Sequence, residues 1–132
     1  MTTEWAHLPN AKYIDAILLS VKTHPDKWEA VWDMAWIAVW KAARDEAWGA
    51  ARGMAWDAVV AVRPLVRPLV RVAARDEAWG AILALIAYDD CAHLLTSNPE
   101  EVKLLAKLGV PAAILLYPAC LVFNETNELT SI

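Results

Sequence analysis

Tryptophan falls at every fourth position from Trp28 through Trp32 and Trp36 to Trp40, and the count continues through Arg44, Trp48, Arg52 and Trp56. A small Ala or Val precedes each large residue from Trp32 onward. An α-helix turns about 100° per residue, so a four-residue step overshoots one turn by about 40° and the large residues wind around the axis. From Trp28 to Trp56 the accumulated rotation is about 280°, against a stripe a little over 100° wide in an ordinary amphipathic helix. A single flat neighbour cannot cover such a surface. The helix must be surrounded by several partners, or it must bend or break, and Gly49 and Gly53 each weaken it by about 1 kcal/mol.

The chain has 132 residues, enough for one domain with a core that needs no disulfide or metal. An unbroken helix from Pro25 to Val62 would be about 57 Å long, whereas a compact chain of this size has a diameter near 36 Å, roughly. The helix therefore breaks, or the protein is an oligomer. With four glycines, abundant Ala and Trp, and little alternation of Val and Ile with polar residues, the expected fold is all-α. It is a bundle of about five helices, one long and Trp-rich, in a homo-oligomer.

Residues 1–9 read as a loose lead-in, and Asn10 as the cap of a helix with apolar positions Ile14, Ile17, Leu18 and Val21. Pro25 and Asp26 suit the start of the Trp-tetrad helix, 25–62. In VRPLVRPLVR, Pro64 and Pro68 each remove a backbone donor, which places a turn at 63–68. The nonapeptide AARDEAWGA then recurs, at Ala42–Ala50 and Ala73–Ala81. The second copy leads into AILALIAY, apolar on nearly every side, so 69–96 reads as the most buried helix. Asn98, Pro99, Glu100 and Glu101 resemble a capping box, and Lys103, Lys107 and Gly109 mark the stop of a two-turn helix. Pro111 opens a buried helix kinked at Pro118, so 98–124 holds the C-terminal helices and 125–132 a polar tail.

Tryptophan and arginine four apart are neighbours on a helix, so Arg44, Trp48, Arg52 and Trp56 suit either a cation–π ladder or core packing. A second stripe, Arg63, Arg67, Arg71 and Arg75, is extended by Trp79. Its guanidiniums suit phosphates, with Trp79 or Trp56 stacking on a base. The plainer reading is a solvated face paired with Asp57, Asp76 and Glu77. The candidate ligand-binding set is therefore Arg44, Trp48, Arg52, Trp56, Arg67, Arg71, Arg75 and Trp79. A net charge of −4 argues against a nucleic-acid polymer as partner.

Tyr88, Asp89, Asp90, Cys91 and His93 include metal-ligand types, but two ligands on one helix face do not make a site, so no metal and no cofactor are expected. No activating base or oxyanion donor accompanies Cys91 and His93, and the expectation is a protein that is not an enzyme. The uncharged run from Leu108 to Asn124 contains two prolines and sits at the lower limit for a span, so a membrane is not expected. Two cysteines without a signal-like N-terminus suggest reduced thiols in the cytoplasm.

The ARDEAWGAARGMAWDA and AARDEAWGA segments, followed by ALIAYDDCAHLL and PAAILLYPACL, resemble a class of tailed-bacteriophage proteins of unassigned function. In that class Ala, Trp, Asp and Arg recur in tetrads such as AAWDAARD. The resemblance covers about Glu29 to Phe123 and lacks a counterpart of VRPLVRPLVR. It implies a small accessory protein in the bacterial host cytoplasm and carries over no binding residue. Two readings stand level. One is a non-enzymatic oligomer whose Trp/Arg-lined helices sequester a small anionic nucleotide-like ligand, an anti-defence role that requires those arginines to face a cavity. The other is a structural or host-protein-inhibiting oligomer with the Trp ladder as its interface. An enzyme using Asp89, Asp90 or His93 stands third.

Overall fold

The structure, a computed structural model, describes the backbone of residues 5–38, 41–66 and 72–131. Side chains are described within these spans except at 32–33, 36–38, 41, 62–66, 72–76 and 130–131. The described residues form seven α-helices and no strand. They are α1 (Ala11–Thr23), α2 (Pro25–Ala38), α3 (Lys41–Met54), α4 (Trp56–Val66), α5 (Val72–Ala87), α6 (Pro99–Lys107) and α7 (Pro111–Thr126), with 3-10 turns at Ala92–Leu95 and Glu128–Ser131.

The expected long Trp helix, 25–62, has one interruption among the described residues, at Ala55, just beyond Gly53, whereas Gly49 stays inside α3; residues 39–40 lie outside the described residues. At the interruption Ala55 donates to Ala51 O at 3.2 Å, closing the last turn of α3, and Val59 donates to Ala55 O at 2.8 Å, opening the first turn of α4. Of the turn expected at 63–68, the first four residues are helical, because α4 runs through Pro64 to Val66; Arg67 and Pro68 lie outside the described residues. Proline already holds a helix-compatible φ and gives up one hydrogen bond.

α5 and α7 are apolar all round and occupy the centre. α7 packs on α2, α3, α5 and α6, and α5 also meets α1, α2 and α3. Every residue from Glu77 to Ile86 and from Ala112 to Cys120 is buried. Trp28 joins α2 to this core, with its indole N–H donating to Ser20 Oγ at 3.0 Å and its ring edge-on to Phe123 at 6.4 Å.

The second repeat helix stops at Ala87, short of the expected 96, because side chains take its last carbonyls. Asn10 Nδ2 donates to Leu85 O and Tyr88 O, both at 3.0 Å. The Cys91 thiol donates to Tyr88 O at 3.2 Å and Ala84 O at 3.5 Å. Asn10 thus stands at the N-cap position of α1 without capping it, and its buried amide serves a helix end 75 residues away. The lead-in is anchored as well, since Trp5 is buried and its indole N–H donates to Asp15 Oδ1 at 2.8 Å.

The start of α6 follows the sequence reading, with Asn98 Oδ1 accepting from Glu100 N at 2.8 Å. At its end, Val110 N donates to Leu105 O and Gly109 N to Ala106 O. This closing pattern needs a left-handed residue, and Gly109 supplies it with φ +88°. α7 continues to Thr126 and ends at Asn127, φ 58°. The segment expected as a polar tail is docked. Leu129 is buried, Glu128 Oε2 lies 3.0 Å from His24 Nε2, and Lys27 Nζ reaches Glu125 at 2.5 Å.

Candidate functional site

The two AARDEAWGA copies lie on α3 and α5 and pack against each other. Arg44, from the first copy, donates from Nη2 to Glu77 Oε1 in the second. The Glu77 side chain is 1% exposed and that of Arg44 11%, so this is a buried ion pair. One turn along, the Trp48 indole lies against Gly80. A Cβ at Gly80 would stand 3.2 Å from Trp48 Nε1 and 3.4 Å from Leu115 Cδ2. Glycine lets the ring approach the α5 backbone closely, and a Cβ there would press on the indole.

Equivalent positions in the copies occupy unlike surroundings. Glu77, Trp79 and Gly80 are buried, whereas Glu46 and Gly49 are exposed and Trp48 is half-buried. Identical sequence does not give identical roles. α5 is enclosed by α1, α2, α3 and α7, but α3 rests on the core by one side only.

Of the candidate ligand-binding residues, Arg44 is engaged by Glu77 and Trp79 is 5% exposed within the core. Arg52 holds its guanidinium over the Trp48 ring, 5.9 Å from the centroid. Trp56, at the start of α4, is 57% exposed. Arg67 and Arg71 lie outside the described residues, as does the side chain of Arg75. Glu77, expected among the acids paired with the second arginine stripe, accepts from Arg44, 33 residues earlier, and the stripe's side chains lie outside the described residues. The residues that sequence reasoning missed are Glu77 as a buried partner and Gly80 as a seat for an indole. The repeat was the available signal, because it supplies acid, base, indole and glycine in both copies.

Two concavities accompany these helices. One, of about 300 Å³, is bordered by Lys12, Asp15, Leu19, Phe123 and Glu128 among others. The other, of about 200 Å³, lies between α3 and the start of α7, beside Ala43, Glu46, Ala50 and Ile114. Among the described residues, no arginine borders either.

The Tyr88–His93 segment is the turn after α5. Asp89, Asp90 and His93 are exposed, with His93 Nδ1 3.1 Å from Asp90 O. Burial pushes the Cys91 thiol up to about 12, aided by the charges of Asp90 and Asp89 and opposed by a backbone hydrogen bond. Burial likewise raises Tyr88 and, with the Asn124 hydrogen bond opposing, lifts Cys120 to about 11. Both thiols are protonated near neutral pH and poor nucleophiles. Among the described residues no three His, Cys, Asp or Glu side chains converge as a metal site, and no helix is long and apolar enough to cross a membrane.

Fold and site together define an all-α protein whose repeated helices are joined by an Arg–Glu and Trp–Gly contact and whose outer repeat face carries Arg52 and Trp56. No known protein family matches the chain, nor does any curated protein or solved structure.

Proposed function

We propose that this chain is a non-enzymatic helical protein that acts by binding other protein surfaces through the outer face of α3 and the start of α4. In the setting its tetrads imply, it is a bacteriophage accessory protein in the host cytoplasm, and its partners are further copies or a host protein. The observation that carries this reading is Trp56. A tryptophan more than half exposed, one turn from the exposed Val60 and near the exposed Met54, is the residue type and apolar setting that dominate protein contacts.

A small anionic ligand is the second reading, and Arg52 over Trp48 beside Trp56 is the surface that favours it. Against it, Arg44 already has a carboxylate partner and Trp79 is buried. A benzophenone amino acid at position 56, photolysed in the bacterial host, tests the choice. The expected product is a covalent protein adduct. No adduct, together with a nucleotide-sized mass retained in native mass spectrometry and lost in Arg52→Ala, overturns the protein-binding reading in favour of sequestration.

A further inference from the structure

The contact between the repeat copies is built from two half-sites, and each occurs a second time on the outside of the molecule. Inside, Arg44 and Trp48, four apart on α3, meet Glu77 and Gly80, three apart on α5. The guanidinium faces the carboxylate, and the indole lies on a backbone that glycine leaves bare. Outside, Arg52 and Trp56 repeat the Arg–Trp spacing of four, with Trp56 exposed to solvent. Glu46 and Gly49 repeat the Glu–Gly spacing of three, both exposed, and a Cβ at Gly49 meets no described atom within 4 Å. One chain therefore presents both sides of a contact it already makes internally.

These outer half-sites cannot meet within one copy. Neighbours on a helix are three or four residues apart, and Glu46 and Arg52 are separated by six. We propose that the Arg52–Trp56 half-site of one copy docks on the Glu46–Gly49 half-site of a second copy, in the manner of Arg44–Trp48 on Glu77–Gly80. The proposal rests on the protein-binding reading of this face and names its occupant. Charge is complementary, with one guanidinium and one carboxylate per contact. Gly49 offers open backbone for the indole. An exposed charge pair contributes little alone, so the burial of Trp56 supplies most of the affinity and the ion pair sets the register. Because the two patches differ, the contact is heterologous, and each copy can engage one neighbour on each patch.

Sedimentation velocity and native mass spectrometry of the full chain, over a wide concentration range, read this directly. The full chain is expected to associate. Glu46→Arg and Arg52→Glu should each weaken association at least tenfold, and an equimolar mixture of the two variants should restore it, since each contact in the mixed assembly again joins opposite charges. Trp56→Ala should weaken association at least tenfold with an unchanged unfolding midpoint. A full chain that remains a single copy throughout, or an assembly indifferent to all three variants, overturns the proposal. Should a single-copy chain still yield a protein adduct from position 56, only the occupant is wrong and the protein-binding reading survives. Without such an adduct, that reading fails as well.

Discussion

Replacing Arg44 by methionine keeps an apolar stem of similar reach and removes the guanidinium that faces Glu77. The carboxylate side chain is 1% exposed, so water cannot replace the lost partner, while the 11% exposure of Arg44 gives that side slight access to solvent. Breaking a buried pair by removing one member costs about 3–5 kcal/mol, against under about 0.5 kcal/mol for a surface residue without special contacts. The expected loss for Arg44→Met is about 3 kcal/mol. Glu77→Leu alone should cost a similar amount, by removing the buried carboxylate to which Arg44 donates. The double variant Arg44→Met/Glu77→Leu should recover most of it, because a well-packed apolar pair often replaces a buried ion pair without loss. With single losses of about 3 kcal/mol each and most of the total recovered in the double variant, the coupling energy is about 5 kcal/mol, above the usual range of about 0.5–3 kcal/mol for residues in contact. Urea unfolding followed by far-ultraviolet circular dichroism measures all four chains, and an unchanged slope confirms that the shifts are in stability. Single variants that each cost less than about 1 kcal/mol and add in the double would refute the reasoning. Arg44 would then be an available surface cation and would return to the candidate ligand set.

Asn10→Ala, which strips two hydrogen bonds from the end of α5, should cost about 2–3 kcal/mol in the same assay. Asn10→Asp should cost more, since a carboxylate there faces two carbonyl oxygens. Gly109→Ala should destabilise by about 1 kcal/mol because of its left-handed backbone. By contrast, Gly49→Ala, in open space inside α3, should stabilise the single chain by up to about 1 kcal/mol. The raised thiols make a pH prediction. Cys91 and Cys120 contribute stability that is fully present below the ordinary thiol value of 9.0 and is lost as pH rises toward 11 to 12. Iodoacetamide at pH 8 should accordingly leave both unmodified in the folded protein and label both in urea, as read by intact mass.

What the sequence disclosed follows from which forces act locally. The α6 boundaries were legible because Asn98, Pro99 and Gly109 act on backbone groups within a few residues of themselves. The all-helical class and the burial of α5 and α7 were legible from apolar residues on every side of those segments. Winding and length left two outcomes for the Trp helix, several surrounding partners or a break near Gly49 and Gly53, and the interruption at Ala55 falls just beyond Gly53 because glycine weakens the helix and the surrounding packing chooses where it bends. The site was harder to see. The Arg44–Glu77 pair spans 33 residues, and nothing in two identical nonapeptides says which copy is enclosed. Asn10 shows the same limit, because its local preference pointed to capping α1 and the stronger demand came from carbonyls far along the chain.

The clasp that Asn10 places on α5 also orders events in time. Asn10 leaves the ribosome long before Leu85 and Tyr88, so its amide has no carbonyl to hold until 75 more residues have been made. Closing so long a loop is slow relative to local helix formation. The first helix must therefore wait, solvated or loosely collapsed, until α5 has formed. In the finished protein the same linkage works in reverse, so that detachment of the N-terminal segment uncovers the end of the central helix. Amide exchange in α1 and in the last turn of α5 should then report one shared opening event, a single cooperative unit assembled from opposite ends of the chain.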